Sequence, residues 1–372
     1  MLRCMYSGIS GMKVNQTKLD VIGNNIANVG TTSFKSSSAR FKDMLYQNSG
    51  EATAPTSSKG GTNAKQVGLG AQLSSINKMM GQGNALSTGR SLDACIDGDG
   101  YFMVGKGVAD YTGAGTTLTA DHKIAGGDME ILYTRDGNFT LDKDGNLLTA
   151  DGYRVMGYLV KGDADEDKTT IESAGTSLDK NGDALFVNAD SIGKTSKKSA
   201  LRVTGSVLQP LKIPDEVKKE VAVSGKIKAA TDATTTKQPV KKFEIGSDGL
   251  VTAVLGDGSR TVLGQIAMAS FKNPEGLTSV GGNYLNISSN SGEPIVRTGV
   301  NVNMKTDGTL DATIDNNSKG YGDCIQGALE GSNVDLTEQF TDMITATRSF
   351  QAASKMITTG DEILQTITGL MR

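Results

Sequence analysis

Three short acidic stretches of this 372-residue chain have the residue types of calcium-binding loops. They read DGDG at 97–100, DKDGN at 142–146 and DKNGD at 179–183. An EF-hand loop needs oxygen ligands at alternate positions, glycine at the sixth position and glutamate at the twelfth. None of the three meets this pattern, and glycine comes fourth in the last two. Because Asp and Gly together are typical of tight turns, we predict no metal site here and no cofactor.

The sequence also offers little for catalysis. A Ser-His-Asp arrangement would depend on the single histidine, His122, which lies in a polar run typical of a surface loop. No glycine-rich loop ending in Lys-Ser/Thr is present, and no glycine fingerprint joins a strand to a helix. Basic residues are dispersed and not interleaved with aromatic ones, so nucleic-acid binding is not predicted. We predict that the chain is not an enzyme.

Composition points to a turn-rich β protein of two or three domains. Glycine is abundant, with 47 residues, while proline numbers 6 and tryptophan is absent. Lys and Arg total 38 against 41 Asp and Glu, and this net charge of -3 gives no electrostatic attraction to nucleic acid or to an anionic membrane. This profile suits modest cores better than a large close-packed enzyme.

The chain has no segment that predicts membrane insertion. No stretch reaches the roughly 20 apolar residues that span a bilayer. Residues 1–20 lack the apolar core and cleavage site of a secretory signal peptide. Cys4, Cys95 and Cys324 are too few and too scattered for a disulfide framework or a metal knuckle, and we predict unpaired, mostly buried thiols.

Both ends of the chain carry apolar residues at alternating spacings of three and four, which is the pattern of a helix with one apolar stripe. In the first 28 residues the stripe consists of Leu2, Met5, Ile9, Met12, Leu19 and Ile26. In the last 40 it consists of Leu336, Phe340, Met343, Phe350, Ile357 and Leu364, widened by Ile344, Ile363, Ile367 and Leu370. Thr359 and Glu362 resemble a capping box around Gly360, where a kink is possible.

Neither predicted helix is stable on its own sequence. Glycines in the first one each cost about 1 kcal/mol relative to alanine, and polar residues interrupt both stripes. Such helices need partners. Gly8, Gly11, Ala352 and Ala353 are small enough to let further helices approach closely. We therefore favour an assembly of many helices over the alternative, an ordinary two-helix packing motif.

The middle of the chain predicts antiparallel strands. Asp-Gly pairs at 136–137, 144–145, 151–152 and 257–258 supply the positive φ angles of tight hairpins. Residues 50–70 are small and polar and predict extended or loop structure rather than core. Residues from about 161 to 249 are poor in aromatics and rich in Lys, Asp and Thr, which predicts a separate inserted β domain.

We therefore predict a multidomain α+β fold with nested topology. Long coiled-coil-like terminal helices pair at one end, and antiparallel all-β domains form the middle. The predicted parts are a terminal helical domain (1–28 and 333–372), a connecting segment (29–75 and 320–332), a β domain (76–160 and 250–319) and an inserted outer β domain (161–249).

The two ends of the chain resemble the bacterial flagellar rod and hook family. The N-terminal match consists of Asn24, Asn25, Ile26, Ala27, Asn28, Thr31, Thr32, Ser33, Phe34 and Lys35. At the other end, Ser332, Asn333, Val334 and Asp335 begin the second hallmark, and Arg348, Phe350 and Gln351 lie in its middle. These motifs are long and specific. The stretches at 41–47, 60–70, 92–104 and 273–285 are similar to the hook subunit within the family.

The resemblance implies a structural subunit of the flagellar hook, a curved tube that acts as a universal joint between rod and filament. It implies a homopolymer that contacts the distal rod, hook cap and hook-filament junction proteins, and export outside the cell without a cleaved signal peptide. In this interpretation Asn28 or Gly30 takes the left-handed conformation that ends the first helix, and Phe34 and Phe41 anchor the connecting segment against neighbouring subunits.

Two other interpretations remain open. A distal rod subunit of the same family would form straight, stiff assemblies and would not need an inserted domain. A calcium-dependent surface adhesin with terminal coiled coils belongs to a different class, and it would be a monomer or small oligomer with ordered ends.

Overall fold

The computed structural model describes most of the chain and divides it into two compact units, one of Met1–Gly81 with Ser332–Arg372 and one of Gln82–Gly331. The described residues are 2–57, 59–107, 116–118, 124–126, 129–161, 184, 186–187, 189, 202–203, 207–220, 235–297 and 322–370. His122, the DKNGD stretch and most of the predicted inserted domain lie outside them.

The first unit contains both helices, α1 at Leu2–Ala27 and α2 at Leu336–Leu370. α2 continues through Gly360, so no new helix begins at the Thr359–Glu362 pair. The Thr359 hydroxyl donates to the carbonyl of Lys355 within the helix rather than capping a new one. Gly360 is buried, and an added Cβ would lie 3.2 Å from Met5 Cγ, so this glycine admits the side chain of α1.

The first unit also contains a long β-hairpin, which we call the arm (residues 36–79). Each of its two sides consists of two successive strands. Its strands are β1 (Ser37–Asp43), β2 (Tyr46–Gly50), β3 (Lys65–Gly68) and β4 (Ala71–Lys78). β1 pairs with β4 and β2 with β3, all antiparallel, and bridges at Thr53–Thr62 and Thr56–Lys59 extend the ladder toward the tip. The small polar stretch at 50–70 is thus the distal half of a hairpin.

The described residues of the second unit form antiparallel strands and include a short 3-10 helix at Pro274–Gly276. Before the predicted insertion the strands are β5 (Ala85–Ser87), β6 (Ala94–Asp97), β7 (Tyr101–Lys106), β8 (Thr116–Leu118), β9 (Ile124–Gly126), β10 (Glu130–Thr134), β11 (Phe139–Leu141), β12 (Leu147–Thr149), β13 (Arg154–Tyr158) and β14 (Val160–Lys161). After residue 200 they are β15 (Arg202–Val203), β16 (Val207–Pro210), β17 (Glu216–Glu220), β18 (Thr235–Ile245), β19 (Leu250–Leu255), β20 (Arg260–Ile266), β21 (Met268–Ser270), β22 (Thr278–Gly281), β23 (Tyr284–Asn286), β24 (Ile295–Arg297), β25 (Asp323–Gln326) and β26 (Ala328–Glu330).

One sheet organises this second unit. Its main path runs β17-β18-β19-β20-β13-β7-β10-β23-β22. The central strand β7 is buried on both faces, because Phe102 and Val104 belong to one hydrophobic cluster while Tyr101 and Met103 belong to another. Phe102 meets Phe139 edge to face, with ring centroids 5.2 Å apart. The core therefore lies on the two sides of this sheet.

The predicted boundary of the inserted domain does not match the sheet. β17 and β18 fall within 161–249, yet they continue the ladder through β19 and β20 to β13, on the other side of the proposed insertion. β16 also pairs directly with β13. The described strands β16, β17 and β18 therefore belong to the same sheet as β13, and their apolar residues contribute to its core. Val217, for example, is 0% exposed.

Most of the predicted Asp-Gly turns form. Gly145, Gly152 and Gly258 have φ of 80°, 84° and 83°, and each follows Asp in the connection between two paired strands. Gly137 is different, because its neighbours β10 and β11 do not pair with each other. A Cβ added to Gly137 would overlap the carbonyl oxygen of Ala94. The N–H of Ala94 also donates to the Gly137 carbonyl at 3.1 Å, so the two backbones are in direct contact. Glycine is needed at 137 for close approach rather than for a hairpin.

Candidate assembly surface

The two helices pack along a seam of small residues. An added Cβ on Gly8 would lie 3.3 Å from Ile357 Cγ1 and 3.4 Å from the Ala353 carbonyl oxygen. The equivalent atom on Gly11 would lie 3.8 Å from Ala353 Cβ. Since these glycines already face α2 of the same chain, the expectation that they admit further helices is wrong. Their small size brings the two terminal helices together instead.

An ion pair also joins the helices. Lys18 Nζ of α1 lies 3.1 Å from Asp342 Oδ2 of α2, and the two side chains are 24% and 44% exposed. A partly exposed pair of this kind contributes about 1 kcal/mol or less. It therefore fixes the alignment of the helices more than it stabilises them.

Asn25 joins both helices to the arm. It is 1% exposed, and its side chain makes both backbone hydrogen bonds to Ser37, at the start of β1. The Ser37 N–H donates to Asn25 Oδ1 at 3.0 Å, and Asn25 Nδ2 donates to the Ser37 carbonyl at 2.8 Å. The same Nδ2 donates to Gln339 Oε1 of α2 at 2.9 Å. One asparagine of the motif thus contacts three elements.

Asn333 makes a second set of contacts just before α2. Its Oδ1 accepts from the Ser36 N–H at 2.7 Å, and its Nδ2 donates to the carbonyls of Met79 and Gly81 at 2.7 and 3.1 Å. Its own N–H donates to the Phe34 carbonyl at 3.3 Å. Asn333 therefore holds both strands of the arm at their base.

The end of α1 differs from the prediction. Neither Asn28 nor Gly30 is among the residues with positive φ, and the left-handed residue is Ser33, with φ of 57°. The side-chain amide of Asn28 donates from Nδ2 to the backbone carbonyl and to the side-chain Oδ1 of Asn24, both at 2.9 Å. Because these bonds prolong the last turn, the chain leaves the helix through successive tight turns rather than a single reversal.

The N-terminus of α2 is capped by the motif aspartate. Asp335 Oδ1 accepts from the N–H groups of Thr337 at 2.8 Å and Glu338 at 3.4 Å. Carboxylate caps of this kind satisfy amide donors that have no partner within the helix. The sequence predicted that this helix begins at 332–335. In the structure Asp335 is the capping residue and Leu336 is the first helical residue.

Gly70 allows the arm to lie against α1. Its φ is 122°, and an added Cβ would overlap Ser10 Oγ and lie 3.4 Å from Ser7 Cα. The N–H of the next residue, Ala71, donates to Ser10 Oγ at 3.4 Å. Both the backbone conformation and the space around Gly70 therefore require glycine.

We expect Gly70→Ala to release the start of β4, at Ala71, from α1. A Cβ at positive φ and a steric overlap with Ser10 together destabilise this docking by about 1–3 kcal/mol. Hydrogen exchange of the β4 amides in the full chain should accelerate by a factor of about ten to a hundred. Gly60→Ala is the control, because nothing lies within 4 Å of its added Cβ. Equal exchange in both variants would contradict this role for Gly70.

The structure brings some of the predicted stripe residues together and leaves others exposed. Met5, Met12, Leu19, Ile26, Met343, Phe350, Ile357 and Leu364 are at least partly buried. Ile9, Leu336, Phe340, Ile344 and Ile367 are exposed, by 38%, 40%, 50%, 63% and 39%. The Leu2 side chain lies outside the described part of the chain. A single partner helix covers only one side of each predicted stripe.

The remaining motif residues occupy different environments. Val334, Ser332 and Phe34 are partly buried near the base of the arm, and Lys35 Nζ donates to the Gly81 carbonyl at 2.9 Å. Phe41, Asn24, Gly30, Arg348 and Gln351 are exposed. Phe41 therefore does not anchor the arm within this chain.

The sequence patterns missed several exposed apolar residues. On the helices these are Tyr6 and Met356, exposed by 68% and 52%, while Ile363 and Leu370, which the predicted stripe included, are also exposed, by 44% and 81%. On the arm they are Leu45, Tyr46, Val67, Leu73, Ile76 and Met79, exposed by 39% to 80%. Leu73 and Ile76 of β4 are three residues apart, so the two-residue period of a strand does not reveal them.

The cysteines offer no reactive centre at the described positions. Cys4 is exposed, whereas Cys95 and Cys324 are buried on the paired strands β6 and β25. Burial raises the pKa of the Cys324 thiol to about 12, so this group is protonated at neutral pH. Within the described ranges, no group of three or more His, Cys, Asp or Glu side chains is placed to hold a metal ion.

Comparison with known proteins gives matches at both ends and in the middle of the chain. Residues 5–35 match the family described as "Flagella basal body rod protein", and 325–370 match "Flagellar basal body rod FlgEFG protein C-terminal". Residues 122–253 match "Flagellar hook protein FlgE/F/G D1 domain". The flagellar basal-body rod protein FlgG of Bacillus subtilis is 38% identical over the whole of both chains. The chain belongs to the flagellar rod and hook family.

Relatives within the rod and hook family carry both names. The flagellar hook protein FlgE of Borreliella burgdorferi is 30% identical over the whole of both chains, and that of Escherichia coli is 25% identical over 97% of this chain and 98% of its own. A crystal structure of Helicobacter pylori flagellar hook protein FlgE2 aligns at 11% identity with 66% of this chain and all of its own, with a TM-score of 0.33. Membership in this family places the chain among structural proteins of the flagellum. In keeping with the hydropathy, neither described helix has an apolar stretch that would cross a membrane.

Proposed function

We propose that this chain is a subunit of the flagellar hook, which polymerises into a flexible curved tube and transmits torque from the rod to the filament. One observation carries the proposal. The paired terminal helices leave large apolar side chains exposed, with Tyr6 68%, Ile344 63% and Leu370 81% accessible. Soluble helices normally bury their apolar face, so these side chains need neighbouring subunits.

The position of the exposed residues favours an open polymer. At about 100° per residue, Leu336, Phe340 and Ile344 lie on one side of the seam with α1. Met356, Ile363, Ile367 and Leu370 lie on the other side, further along α2. Two different surfaces on one subunit produce head-to-tail contacts, which generate rings or helical tubes. We infer that the helices pack in a coiled-coil-like layer inside such a tube.

The arm would be buried in the same assembly. An isolated two-stranded ribbon is marginally stable in water, yet this one exposes Leu45 by 80% and Tyr46 by 57%. Neighbouring subunits would cover these side chains and fix the arm. Phe41, exposed by 36%, would then anchor the arm against a neighbour, as the family resemblance implies.

Hook is our first assignment because the large β unit of the chain suits a layer whose contacts shift as the tube bends; hook and rod relatives both match the chain from end to end, so coverage does not decide between them. The polar and glycine-rich helix seam would likewise permit small axial movements. The 38% identity to a basal-body rod protein supports a second candidate, a distal rod subunit. In either case the expected partners are copies of itself and adjacent flagellar proteins: the distal rod, hook cap and hook-filament junction proteins. Export outside the cell without a cleaved signal peptide is part of the proposal.

Electron microscopy of the purified full-length chain separates the candidates. We expect curved tubes to form as the protein concentration rises, and a chain limited to residues 29–335, which lacks both helices, should form none. Straight, stiff tubes would favour the rod subunit. A dispersed monomer at every concentration, with both helices resistant to protease, would overturn the proposal of a polymer.

A further inference from the structure

Ser33, between α1 and the arm, has an unfavourable conformation. Among the described residues it is one of two non-glycine residues with positive φ, and the other, Asn283, lies in the turn between β22 and β23. The left-handed region lowers the population of a residue with a Cβ by roughly five- to thirty-fold. Ser33 is also 7% exposed, and its hydroxyl has no hydrogen-bond partner among the described residues. Because serine itself does not favour this turn, contacts on either side must hold it.

Those contacts come from Asn25 and Asn333. Asn25 holds both backbone groups of Ser37, four residues after Ser33, and also contacts Gln339 of α2. Asn333 bonds to Phe34 and Ser36, just before β1, and to Met79, just after β4. Each asparagine belongs to one helical end and bonds to the arm. Hence the full set of bonds exists only when α1 and α2 lie side by side.

We propose that Asn25 and Asn333 form a clamp that orders the arm only when the terminal helices are paired. Pairing closes the clamp and holds Ser33 in its left-handed conformation. Separation of the helices opens the clamp, Ser33 returns to the common regions of φ and ψ, and the arm loses its fixed base. Helix pairing and arm folding are then one cooperative event.

The clamp makes the docking surface of the arm depend on the pairing of the helices. With the helices apart, the apolar side chains of the arm are not aligned on a rigid ribbon, so they offer a neighbour no organised surface. Once the helices pair, the arm becomes a defined docking element. The coupling is a property of a single chain, and only its use in ordering tube growth rests on the proposed function.

A disulfide staple tests the coupling directly. The added Cβ at Gly11 would lie 3.8 Å from Ala353 Cβ, which is within the range of about 3.5–4.5 Å found in disulfides. We would place Gly11→Cys and Ala353→Cys in a full chain that also carries Cys4→Ser, since Cys95 and Cys324 are buried. Hydrogen exchange is then measured in increasing urea with the disulfide reduced (staple open) or formed (staple closed). The urea midpoint of exchange is read separately for amides of the arm and amides of the helices.

Closing the staple should raise the urea midpoint of exchange in both helices and in β1 and β4 together. In a chain carrying Asn25→Ala and Asn333→Ala, the helices should still respond and the arm should not. Adding Ser33→Gly to that chain should slow exchange in the arm by roughly five- to thirty-fold, because the turn then needs no clamp. Asn24→Ala is the matched control, since the Asn24 side chain bonds within its own turn.

Two results would overturn the clamp. In one, closing the staple protects the helices and leaves the arm midpoint unchanged. In the other, the arm still follows the helices after both asparagines are replaced. The exchange of α2 in the stapled chain shows that each variant is folded. A chain that never forms tubes leaves this test intact, because every readout comes from single molecules.

Discussion

Glu330→Ala should lower the free energy of unfolding of the second unit by about 3–5 kcal/mol, the largest loss we expect from a single truncation in this chain. Glu330 is 0% exposed and Arg135 5% exposed, and Arg135 Nη1 lies 3.1 Å from Glu330 Oε1. Removing one partner of a buried ion pair leaves the other charge without compensation. We therefore expect most of the lost stability to come from the buried charge of Arg135 that is left without a partner, rather than from the lost attraction itself.

The surrounding bonds explain why this pair matters more than a surface pair. Arg135 also donates to the carbonyls of Gly98 and Gly100, and its guanidinium lies 5.4 Å from the centre of the Tyr101 ring. Glu330 Oε1 accepts from the Gly83 N–H at 2.9 Å. The pair thus joins the segment that enters the second unit, the loop before β7 and the last strand, β26.

Urea unfolding of the full chain, followed by near-ultraviolet circular dichroism of its tyrosines, measures the loss. Glu216→Ala is the control, because the Glu216–Lys237 pair has a similar distance of 3.0 Å but side chains 55% and 63% exposed. That variant should lose about 1 kcal/mol or less. The double variant Arg135→Met/Glu330→Leu should lose less than the sum of the two single changes. Equal losses for Glu330→Ala and Glu216→Ala would contradict this account.

Local patterns in the sequence were sufficient for the helices and for most turns. Alternating spacings of three and four identify α1 and α2 to within a few residues, because helix periodicity is fixed by backbone geometry. Asp-Gly identifies the turns at Gly145 and Gly152, because the positive φ required there is a property of one residue. The family motifs pointed to the base of the arm. The contacts of Asn25 and Asn333 now give a physical reason for two of those residues.

Features that depend on distant partners could not be predicted. Arg135 and Glu330 are separated by 195 positions, and neither stands out from its neighbours. Gly137 resembles a hairpin glycine, yet its role depends on the carbonyl of Ala94. The arm was missed because pairing between residues near 40 and near 75 leaves little trace in a polar, glycine-rich composition. In each case the missing information is which strand lies beside which.

Ile344→Asp should abolish tube formation while leaving the fold of the single chain unchanged. Ile344 is 63% exposed in the single chain, so a carboxylate there remains hydrated and costs little stability before assembly. In the proposed polymer the same position is covered by neighbouring helices, where an unpaired charge is costly. We expect the critical concentration for assembly to rise by at least a hundredfold, measured by sedimentation of polymer and electron microscopy.

Thr345→Asp provides a charge-matched comparison at the next position of α2. Thr345 is also exposed, but it is polar; it lies about 100° around the helix from Ile344 and about three turns before Met356, where the second apolar surface begins. If the apolar residues form the contact surface, the added charge at 345 should raise the critical concentration at least tenfold less than the charge at 344. A second substitution, Ile363→Asp, should match Ile344→Asp, because Ile363 lies on the opposite side of the seam and would contact a different neighbour. Mixed in equal amounts, these two chains should still fail to grow long tubes, since every tube needs both surfaces on each subunit. Normal growth of either isoleucine variant would show that these exposed side chains are not assembly contacts.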